Sequence, residues 1–313
     1  MKFIKDYRDG DRVFDIYLCK HKSSAVTKNG KPYETATLQD KTGTIEAKIW
    51  DPNSAGIADF DDMDYVEVYG DITSFNGALQ INVKRTRVAQ PGDYDARNYL
   101  PISNKDIDEM FAEVTAYIKA LSNPYLKKLC EKLFLEDTGF QKAFKESSAA
   151  KSVHHGFIGG LLEHTLSVTK MCDFYCTRYE KLNKDLLITA ALCHDIGKTK
   201  ELSAFPLNDY TDDGNFLGHI VMGTEMVSDV IRQIDGFPAK LASQLKHCIL
   251  SHHGELEFGS PKKPAIMEAV ALNFADNTDA KLQTFTEILE NTTEKGWMGY
   301  NRLLESNIIA TDV

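Results

Sequence analysis

The sequence predicts a chain with two unlike parts, a small closed β-barrel followed by an all-helical bundle. Two observations support this fold class. Up to about residue 89, short stretches of alternating apolar and polar residues are separated by tight-turn signals, whereas beyond Ser103 apolar residues recur with a helical period. A third observation concerns chemistry, because eight of the nine histidines lie between His154 and His253, inside the helical part.

The overall composition is ordinary for a globular protein and excludes several classes. The chain has 313 residues, 42% of them hydrophobic, and a formal net charge of -10. This acidic balance argues against a protein that coats duplex nucleic acid by bulk charge, although it leaves a local groove open. No apolar run approaches the ~20 residues that a bilayer requires, so we expect no membrane span. Six cysteines without a Cys-x-x-Cys pair predict reduced thiols in a cytoplasmic protein.

The strands of the predicted barrel are separated by recognisable turns. Hairpin signals occur at Asn29-Gly30 and Asn76-Gly77, and a further turn at Gln39-Asp40-Lys41-Thr42-Gly43. Between the turns, residues 45, 47 and 49 are apolar, whereas residues 46, 48 and 50 would point to the opposite face. Five short strands with tight turns are typical of a small closed barrel.

The barrel region resembles an OB-fold. The stretch from Tyr33 to Asp51 matches a sequence motif that recurs in the second and third strands of such folds. The motif consists of a strand, the turn Asp-Lys-Thr-Gly, a second strand and the pair Trp-Asp. OB-folds bind single-stranded nucleic acid by stacking bases on exposed aromatic side chains. The candidate substrate-binding residues here are the aromatic and basic residues Tyr33, Lys48, Trp50, Phe75, Lys84, Arg85 and Arg87. Core packing for the aromatic residues and a solvated strand end for the basic ones are the alternatives.

The helical part begins after Pro91-Gly92-Asp93 breaks the strand pattern. Ser103 is a predicted N-cap with Asp106 at the third helical position, and helical periodicity continues to about Thr293. The strand and helix patterns predict four segments: the OB-like barrel at 1–90, a helical linker or subdomain at 91–150, a histidine-rich helical bundle at 151–293 and a C-terminal tail at 294–313.

Histidine and aspartate side chains recur in order along the apolar helical pattern. Each would be costly to bury alone, whereas together they can bind metal ions. The predicted ligands are His164, His194, Asp195, His219, His252, His253 and Asp276. A pair of divalent ions requires a bridging carboxylate, and Asp195 beside His194 is the natural bridge. Nitrogen and oxygen ligands without thiolate suit manganese, iron, cobalt or zinc.

This ordered set resembles the HD-domain superfamily of metal-dependent phosphohydrolases. The resemblance extends from Gly156 to Leu282. The segments at 159–166 (GGLLEHTL) and 193–198 (CHDIGK) are close to the sequence motifs of the family. An OB-fold before an HD domain, at this total length, is similar to the YhaM-type 3′→5′ exoribonucleases of Gram-positive bacteria. In that family the OB-fold presents a single strand and the HD site removes nucleotides.

The resemblance implies roles for individual residues. Asp195 would be catalytic as the metal bridge, and Lys198, three residues later, is a candidate for stabilising the phosphate in the transition state. His154 and His155 are candidates for contact with substrate phosphate, with a loop position as the alternative. Asp279 is expected to support a ligand or to face solvent. The implied cofactors are two divalent ions, with manganese as the leading choice.

The implied reaction is metal-dependent 3′→5′ hydrolysis of single-stranded RNA, which releases nucleoside 5′-monophosphates. Single-stranded DNA stays open as a further substrate, and so does assembly into a homo-oligomer. One alternative keeps the site but assigns it a small nucleotide or a cyclic dinucleotide, and another uses the ligands for iron-dependent oxygenation. A third treats the protein as a single-strand-binding module with an HD scaffold, although a scaffold has no need of seven ligands.

Overall fold

The chain divides into two units, Met1–Pro101 and Ile102–Val313, each with its own hydrophobic core. The structure, a computed structural model, describes residues 2–151, 155–290 and 296–311. Within these ranges, no helix is both long and apolar enough to cross a membrane. All six cysteines are unpaired, in agreement with the predicted free thiols.

Five strands close into a barrel in the first unit. They are β1 (Arg12–Val26), β2 (Pro32–Asp40), β3 (Gly43–Ile49), β4 (Tyr65–Phe75) and β5 (Ala78–Val88). The order around the barrel is β1-β2-β3-β5-β4, in which β3 and β5 run parallel and the other neighbours run antiparallel. The predicted five-stranded OB-fold barrel is therefore confirmed.

The barrel follows the turn and strand signals of the sequence closely. Asn76 and Gly77 have positive φ angles of 49° and 83°, as the tight turn between β4 and β5 requires. In β3, Ile45, Ala47 and Ile49 are buried in the barrel core, and the intervening side chains face outward. The alternation of apolar residues thus correctly predicted which face of β3 is buried.

The first unit continues beyond the last strand. Tyr94 stacks on Tyr65 with ring centroids 3.7 Å apart, and Tyr99 packs edge-on against the same ring at 5.3 Å. These contacts keep the segment after β5 on the barrel as far as Pro101, although the strand pattern of the sequence stops at Pro91-Gly92.

The second unit is mainly helical and ends in a β-hairpin. Its helices are α1 (Ile107–Ala120), α2 (Pro124–Cys130), α3 (Thr138–Glu146), α4 (Gly160–Arg178), α5 (Lys184–Cys193), α6 (Lys198–Glu201), α7 (Asp212–Arg232), α8 (Ala239–Leu250) and α9 (Met267–Glu290). A π-helical segment, Glu131–Glu136, continues α2, and the short 3₁₀ helix Leu256–Phe258 follows α8. The hairpin strands are β6 (Trp297–Asn301) and β7 (Ser306–Ile309), which no periodicity in the tail predicted.

Helix α5 lies at the centre of the bundle. Every residue from Leu186 to Cys193 is buried, as expected for a helix that is apolar on all sides. Helices α4, α8 and α9 pack around it and contribute Leu162, Leu245 and Leu272 to the same core. The C-terminal end of this central helix leads directly into His194 and Asp195, so the core positions the chemistry.

The start of α1 differs from the sequence prediction. Asp106, not Ser103, is the N-cap, and its carboxylate accepts hydrogen bonds from the main-chain N–H groups of Asp108 and Glu109. Ser103 is drawn away because its main-chain N–H donates to Ile158 and its hydroxyl donates to a buried carboxylate on α4. The prediction for Ser103 was wrong because this long-range pairing leaves no signal in local sequence.

Candidate metal centre

The structure gathers all seven sequence-predicted metal ligands in one place. Helix α4 supplies one ligand, the turn after α5 two, α7 one, the turn after α8 two and α9 one; they are His164, His194, Asp195, His219, His252, His253 and Asp276. In α7, Gly218 has φ 73° and ψ 157°, which interrupts the helix immediately before its ligand. Residues as far apart in sequence as 164 and 276 therefore become neighbours through helix packing.

Asp195 lies in the middle of the centre and is 1% exposed. Its Oδ2 is 3.3 Å from Nε2 of His164 and 3.4 Å from Nε2 of His194. Its Oδ1 is 3.4 Å from Nε2 of His219 and 3.5 Å from Nε2 of His252. The two carboxylate oxygens thus face two different sets of donors, which is the arrangement that a bridging ligand needs.

Two ligand groups can be distinguished around this carboxylate. One consists of His164, His194 and Asp276, and the other of His219, His252 and His253. Within each group the donor atoms lie within 4.8 Å of one another, and Nε2 of His164 is 3.1 Å from Oδ1 of Asp276. Each group offers three donors before Asp195 is added.

Hydrogen bonds orient three of the imidazoles through main-chain oxygens. Nδ1 of His194 and Nδ1 of His252 each donate to the carbonyl three residues earlier, at 2.7 Å. Nδ1 of His253 donates to the carbonyl of Phe258, also at 2.7 Å. A carbonyl oxygen can only accept, so Nδ1 carries the proton and Nε2 keeps its lone pair for a metal ion.

Carboxylates orient the other two imidazoles. Glu201 accepts from Nδ1 of His219 at 3.0 Å and from its main-chain N–H at 2.9 Å. Asp279 accepts from Nδ1 of His164 at 2.7 Å, and so it supports a ligand, which was one of its two expected roles. Sequence reasoning missed Glu201, although it lies three residues after Lys198, on the same side of a helical turn. Such partners fix the ring and raise its basicity toward a metal ion.

Three buried polar atoms in the centre lack a hydrogen-bond partner among the described residues. They are Oδ1 of Asp195, Nε2 of His219 and Nε2 of His252. All three are lone-pair acceptors, because both rings carry their proton on Nδ1, and they point toward one another. Buried acceptors that face each other are costly unless a cation satisfies them. The residues present therefore fit a divalent metal ion.

The two sides of the centre differ in charge. Burial, together with the neighbouring ring of His252, lowers the pKa of His253 to about 4, and burial also lowers the pKa of His252. These rings are neutral near pH 7 and ready to bind a metal ion. Burial opposes protonation of His164, but hydrogen bonds to Asp195, Asp276 and Asp279 outweigh it and raise the pKa well above its ordinary value. The same excess of negative charge favours a metal cation there.

Lys198 lies against the bridging carboxylate. Its Nζ is 2.7 Å from Oδ2 of Asp195, and its side chain is 13% exposed. Burial is the largest single influence on this lysine and lowers its pKa, but the charge and hydrogen bond of Asp195, together with the charges of Asp276 and Glu201, outweigh burial and raise the pKa above the ordinary value. The ammonium is therefore charged at neutral pH and lies at the edge of the ligand set.

The two histidines predicted to contact substrate have different outcomes. His154 lies outside the described residues. His155 is 2% exposed, and its Nε2 is 2.9 Å from Oδ2 of Asp279. Its ring is thus buried against the carboxylate that orients His164, which leaves no face for a substrate phosphate. The structure places His155 behind the ligands, because a buried imidazole requires a partner and Asp279 provides one.

Three candidate residues of the barrel, Tyr33 on β2, Lys48 on β3 and Trp50 directly after β3, form an aromatic patch on β2 and β3. The rings of Tyr33 and Trp50 stack with centroids 5.4 Å apart, and Trp50 is 53% exposed. Lys48 lies beside them, with Nζ 5.9 Å from the centroid of Tyr33. Phe75, at the turn between β4 and β5, is 63% exposed. These rings are not core residues, and they can stack on bases.

The predicted basic cluster is largely neutralised. Lys84 forms an ion pair with Asp71, and Arg87 is held by Glu67 and Asp93, each at 2.9 Å. Within the described ranges, Arg85 has no ion pair and keeps a free guanidinium. The cluster therefore offers one unpaired cation where the sequence suggested three.

Comparison with known proteins identifies a family for the helical unit. The HD domain family matches residues 161–281. A solved structure, the second OB-fold domain of replication protein A from Methanococcus maripaludis, is similar at 18% identity and a TM-score of 0.23, and covers 28% of this chain and 92% of that one.

Two curated relatives extend over nearly the whole chain. The 3′-5′ exoribonuclease YhaM of Geobacillus sp. (strain WCH70) is 35% identical over 291 residues, which cover 92% of this chain and 88% of that protein. The protein of the same name from Listeria innocua serovar 6a is 34% identical over 294 residues, which cover 93% and 92%. With its barrel, its HD domain and this extent of identity, the chain belongs to the YhaM family of 3′-5′ exoribonucleases.

Proposed function

We propose that this protein is a metal-dependent exoribonuclease that removes nucleoside 5′-monophosphates from the 3′ end of single-stranded RNA. The observation that carries the proposal is the centre around Asp195, where two groups of three donors share one buried carboxylate. The names of the curated relatives support the substrate and the direction. The six unpaired cysteines support a cytoplasmic location as part of the same proposal.

The ligands would hold two divalent ions, for which manganese is our choice. His164, His194 and Asp276 would bind one ion, His219, His252 and His253 the other, and Asp195 both. When bound, such ions activate water for attack on a phosphodiester and neutralise the charge on its oxygens. All of the ligands offer nitrogen or oxygen, which suits manganese and does not require a soft metal.

The other residues of the site position and stabilise the substrate. The ammonium of Lys198 cannot bind a metal ion, but it can donate hydrogen bonds to a phosphoryl oxygen whose charge grows in the transition state. On the barrel, Tyr33 and Trp50 would stack on bases and Lys48 would contact the backbone. The net charge of -10 does not oppose an anionic substrate, because divalent ions reverse the local potential.

The experiment is a digestion of 5′-labelled single-stranded RNA with manganese. The proposal expects a ladder of labelled products that shorten from the 3′ end, and no ladder with Asp195→Asn. Immediate release of the labelled nucleotide would instead show the opposite direction. Intact RNA together with hydrolysis of a small phosphodiester would favour the nucleotide phosphodiesterase alternative, and a parallel digestion of DNA would define the sugar preference.

A further inference from the structure

A groove lies on the barrel, away from the aromatic patch on β2 and β3. It is formed by the outer faces of β1, β4 and β5, and its volume is about 760 Å³. Phe14, Tyr69, Lys84, Arg85 and Arg87 are among its lining residues. Nothing in the proposed chemistry of the metal centre uses this groove.

Two aromatic rings form one side of the groove. Phe14 on β1 lies directly opposite Tyr69 on β4, and their centroids are 6.4 Å apart in an edge-on arrangement. Phe14 is 70% exposed, so its ring contributes little to the barrel core. A large exposed ring beside charged residues is a feature of binding surfaces and is suited to stacking on a base.

The basic residues of the groove are arranged around these rings. Arg85 lies opposite Tyr69 in the strand register and has no ion pair within the described ranges. The aliphatic part of the Arg85 side chain lies next to Gly56: a Cβ added at Gly56 would be 3.5 Å from Cγ of Arg85. Nζ of Lys84 is 5.9 Å from the centroid of Tyr69. Lys84 and Arg87 are paired with carboxylates, so Arg85 is the one unpaired cation among the described residues of the lining. An unpaired guanidinium beside exposed aromatic rings suits a phosphate group.

The groove is connected to the aromatic patch through β5. Nε1 of Trp50 donates to Oδ1 of Asn82 at 3.2 Å, and Asn82 precedes Lys84 by two residues in the same strand. Going around the barrel, β3, β5, β4 and β1 are consecutive neighbours. Three strand spacings amount to about 14 Å, so the two surfaces are close enough for one extended strand to cross both.

We propose that this groove is a second binding site for single-stranded nucleic acid. A base stacks on Phe14 with its edge toward Tyr69, and Arg85 holds an adjacent phosphate, so the barrel binds a longer stretch of substrate than Tyr33 and Trp50 can bind alone. The choice of RNA as the ligand rests on the proposed function, but the binding itself does not require hydrolysis. Base stacking with a neighbouring cation is the recognition that sequence-tolerant single-strand binders use.

The test is RNA binding by the full chain in the presence of a chelator, which prevents cleavage. Fluorescence anisotropy would compare a short and a long labelled RNA, about 4 and 12 nucleotides, within the range of site sizes of OB-folds. Phe14→Ala should weaken binding of the long RNA about fivefold or more, because fivefold is the smallest effect expected for the loss of one stacked base. The affinity for the short RNA should be unchanged. Phe14→Tyr should restore the affinity. Arg85→Ala should lower the slope of log K against log salt by about 0.7, as for one phosphate contact with a single strand.

Phe174→Ala and Arg178→Ala, which change exposed residues of the helical unit, are the matched controls and should leave both affinities unchanged. Circular dichroism and melting temperature would verify that each variant is folded. Unchanged binding of the long RNA by Phe14→Ala and Arg85→Ala would overturn the proposal, and so would an equal loss for both lengths, since the groove would then be part of the first site. If the unmodified protein binds the long RNA through this groove but cleaves no RNA, the proposed function is wrong and the proposed binding site still stands.

Discussion

At the scale of single residues, the site depends on which atom each side chain presents. The five histidine ligands direct Nε2 to the centre because Nδ1 of each ring is hydrogen-bonded to a carbonyl or a carboxylate oxygen. Asp195 presents its two oxygens to different groups, and Lys198 contacts one of those oxygens. Residues that bind metal and residues that act beside it can therefore be separated by experiment.

Lys198→Ala tests the role of the ammonium. We expect turnover to fall by roughly 10²–10³, as for the loss of one preorganised donor, while bound manganese stays near the content of the parent. Lys198→Arg should recover only part of the rate, because the planar guanidinium of arginine places its hydrogen-bond donors differently from the compact ammonium of lysine. Metal content and single-turnover cleavage would be measured on the same preparations. A parallel loss of metal and activity would mean that Lys198 maintains the ligands.

Asp279→Ala tests a residue that supports a ligand. Its carboxylate accepts hydrogen bonds from His164, His155 and Ser167, so its removal frees the ring that faces Asp195. We expect manganese affinity to fall about 10–100-fold, with a smaller loss for Asp279→Asn, whose amide oxygen can still accept from His164. Competition with a chelator of known affinity measures this directly. Unchanged affinity in Asp279→Ala would contradict the supporting role.

At the scale of elements, the close approach of α6 and α7 determines where His219 lies. A Cβ at Gly197 would overlap the main-chain oxygen of His219, so only glycine lets the turn before α6 pack against α7. The same approach brings Glu201 within reach of the His219 ring. The second ligand group is thus assembled by a contact between main chains.

Gly197→Ala tests this contact. The added methyl should push α7 away, lower the free energy of unfolding by about 1–3 kcal/mol and weaken manganese binding. Gly139→Ala, on α3, is the matched control, because a Cβ there meets only Oδ1 of Asp137 at 3.4 Å, and it should be neutral or slightly stabilising. Chemical denaturation and metal titration of both variants provide the comparison. Parent-like metal affinity in Gly197→Ala would show that α7 can adjust without moving its histidine.

At the scale of the whole molecule, the two units have separate cores. The barrel core is built from residues 7–81, and the helical core from residues 110–275, with no residue in common. Units with independent cores are expected to fold independently. Binding and chemistry should therefore be separable by truncation.

Removal of residues 1–101 tests this separation. The remaining chain should keep its helical circular dichroism, unfold in one cooperative transition and hydrolyse a small phosphodiester at close to the parental rate. Its affinity for a long single-stranded RNA should fall by about tenfold or more, because the stacking surfaces are lost. Equal degradation of long RNA by the truncated and intact chains would assign the barrel another role.

Local sequence was sufficient for the features that depend on neighbouring residues. The turn at Asn76-Gly77 and the alternation in β3 follow from backbone conformation and strand periodicity. The ordered histidines and aspartates also predicted a shared centre, because polar groups within apolar helices require partners. The family motif around His194 and Asp195 predicted the hydrolytic chemistry from local sequence.

Tertiary structure alone determined what depends on distant partners. Ser103 lost its predicted capping role to a pairing with Ile158, and His155 became a partner of Asp279, 124 residues away. The cluster at residues 84–87 was reduced to the single unpaired cation Arg85, because carboxylates from other segments pair with its neighbours. Periodicity reports which face of an element is buried, but it contains no information about which side chain from another element will meet it. That choice depends on helix packing and strand register, which exist only once the chain is folded.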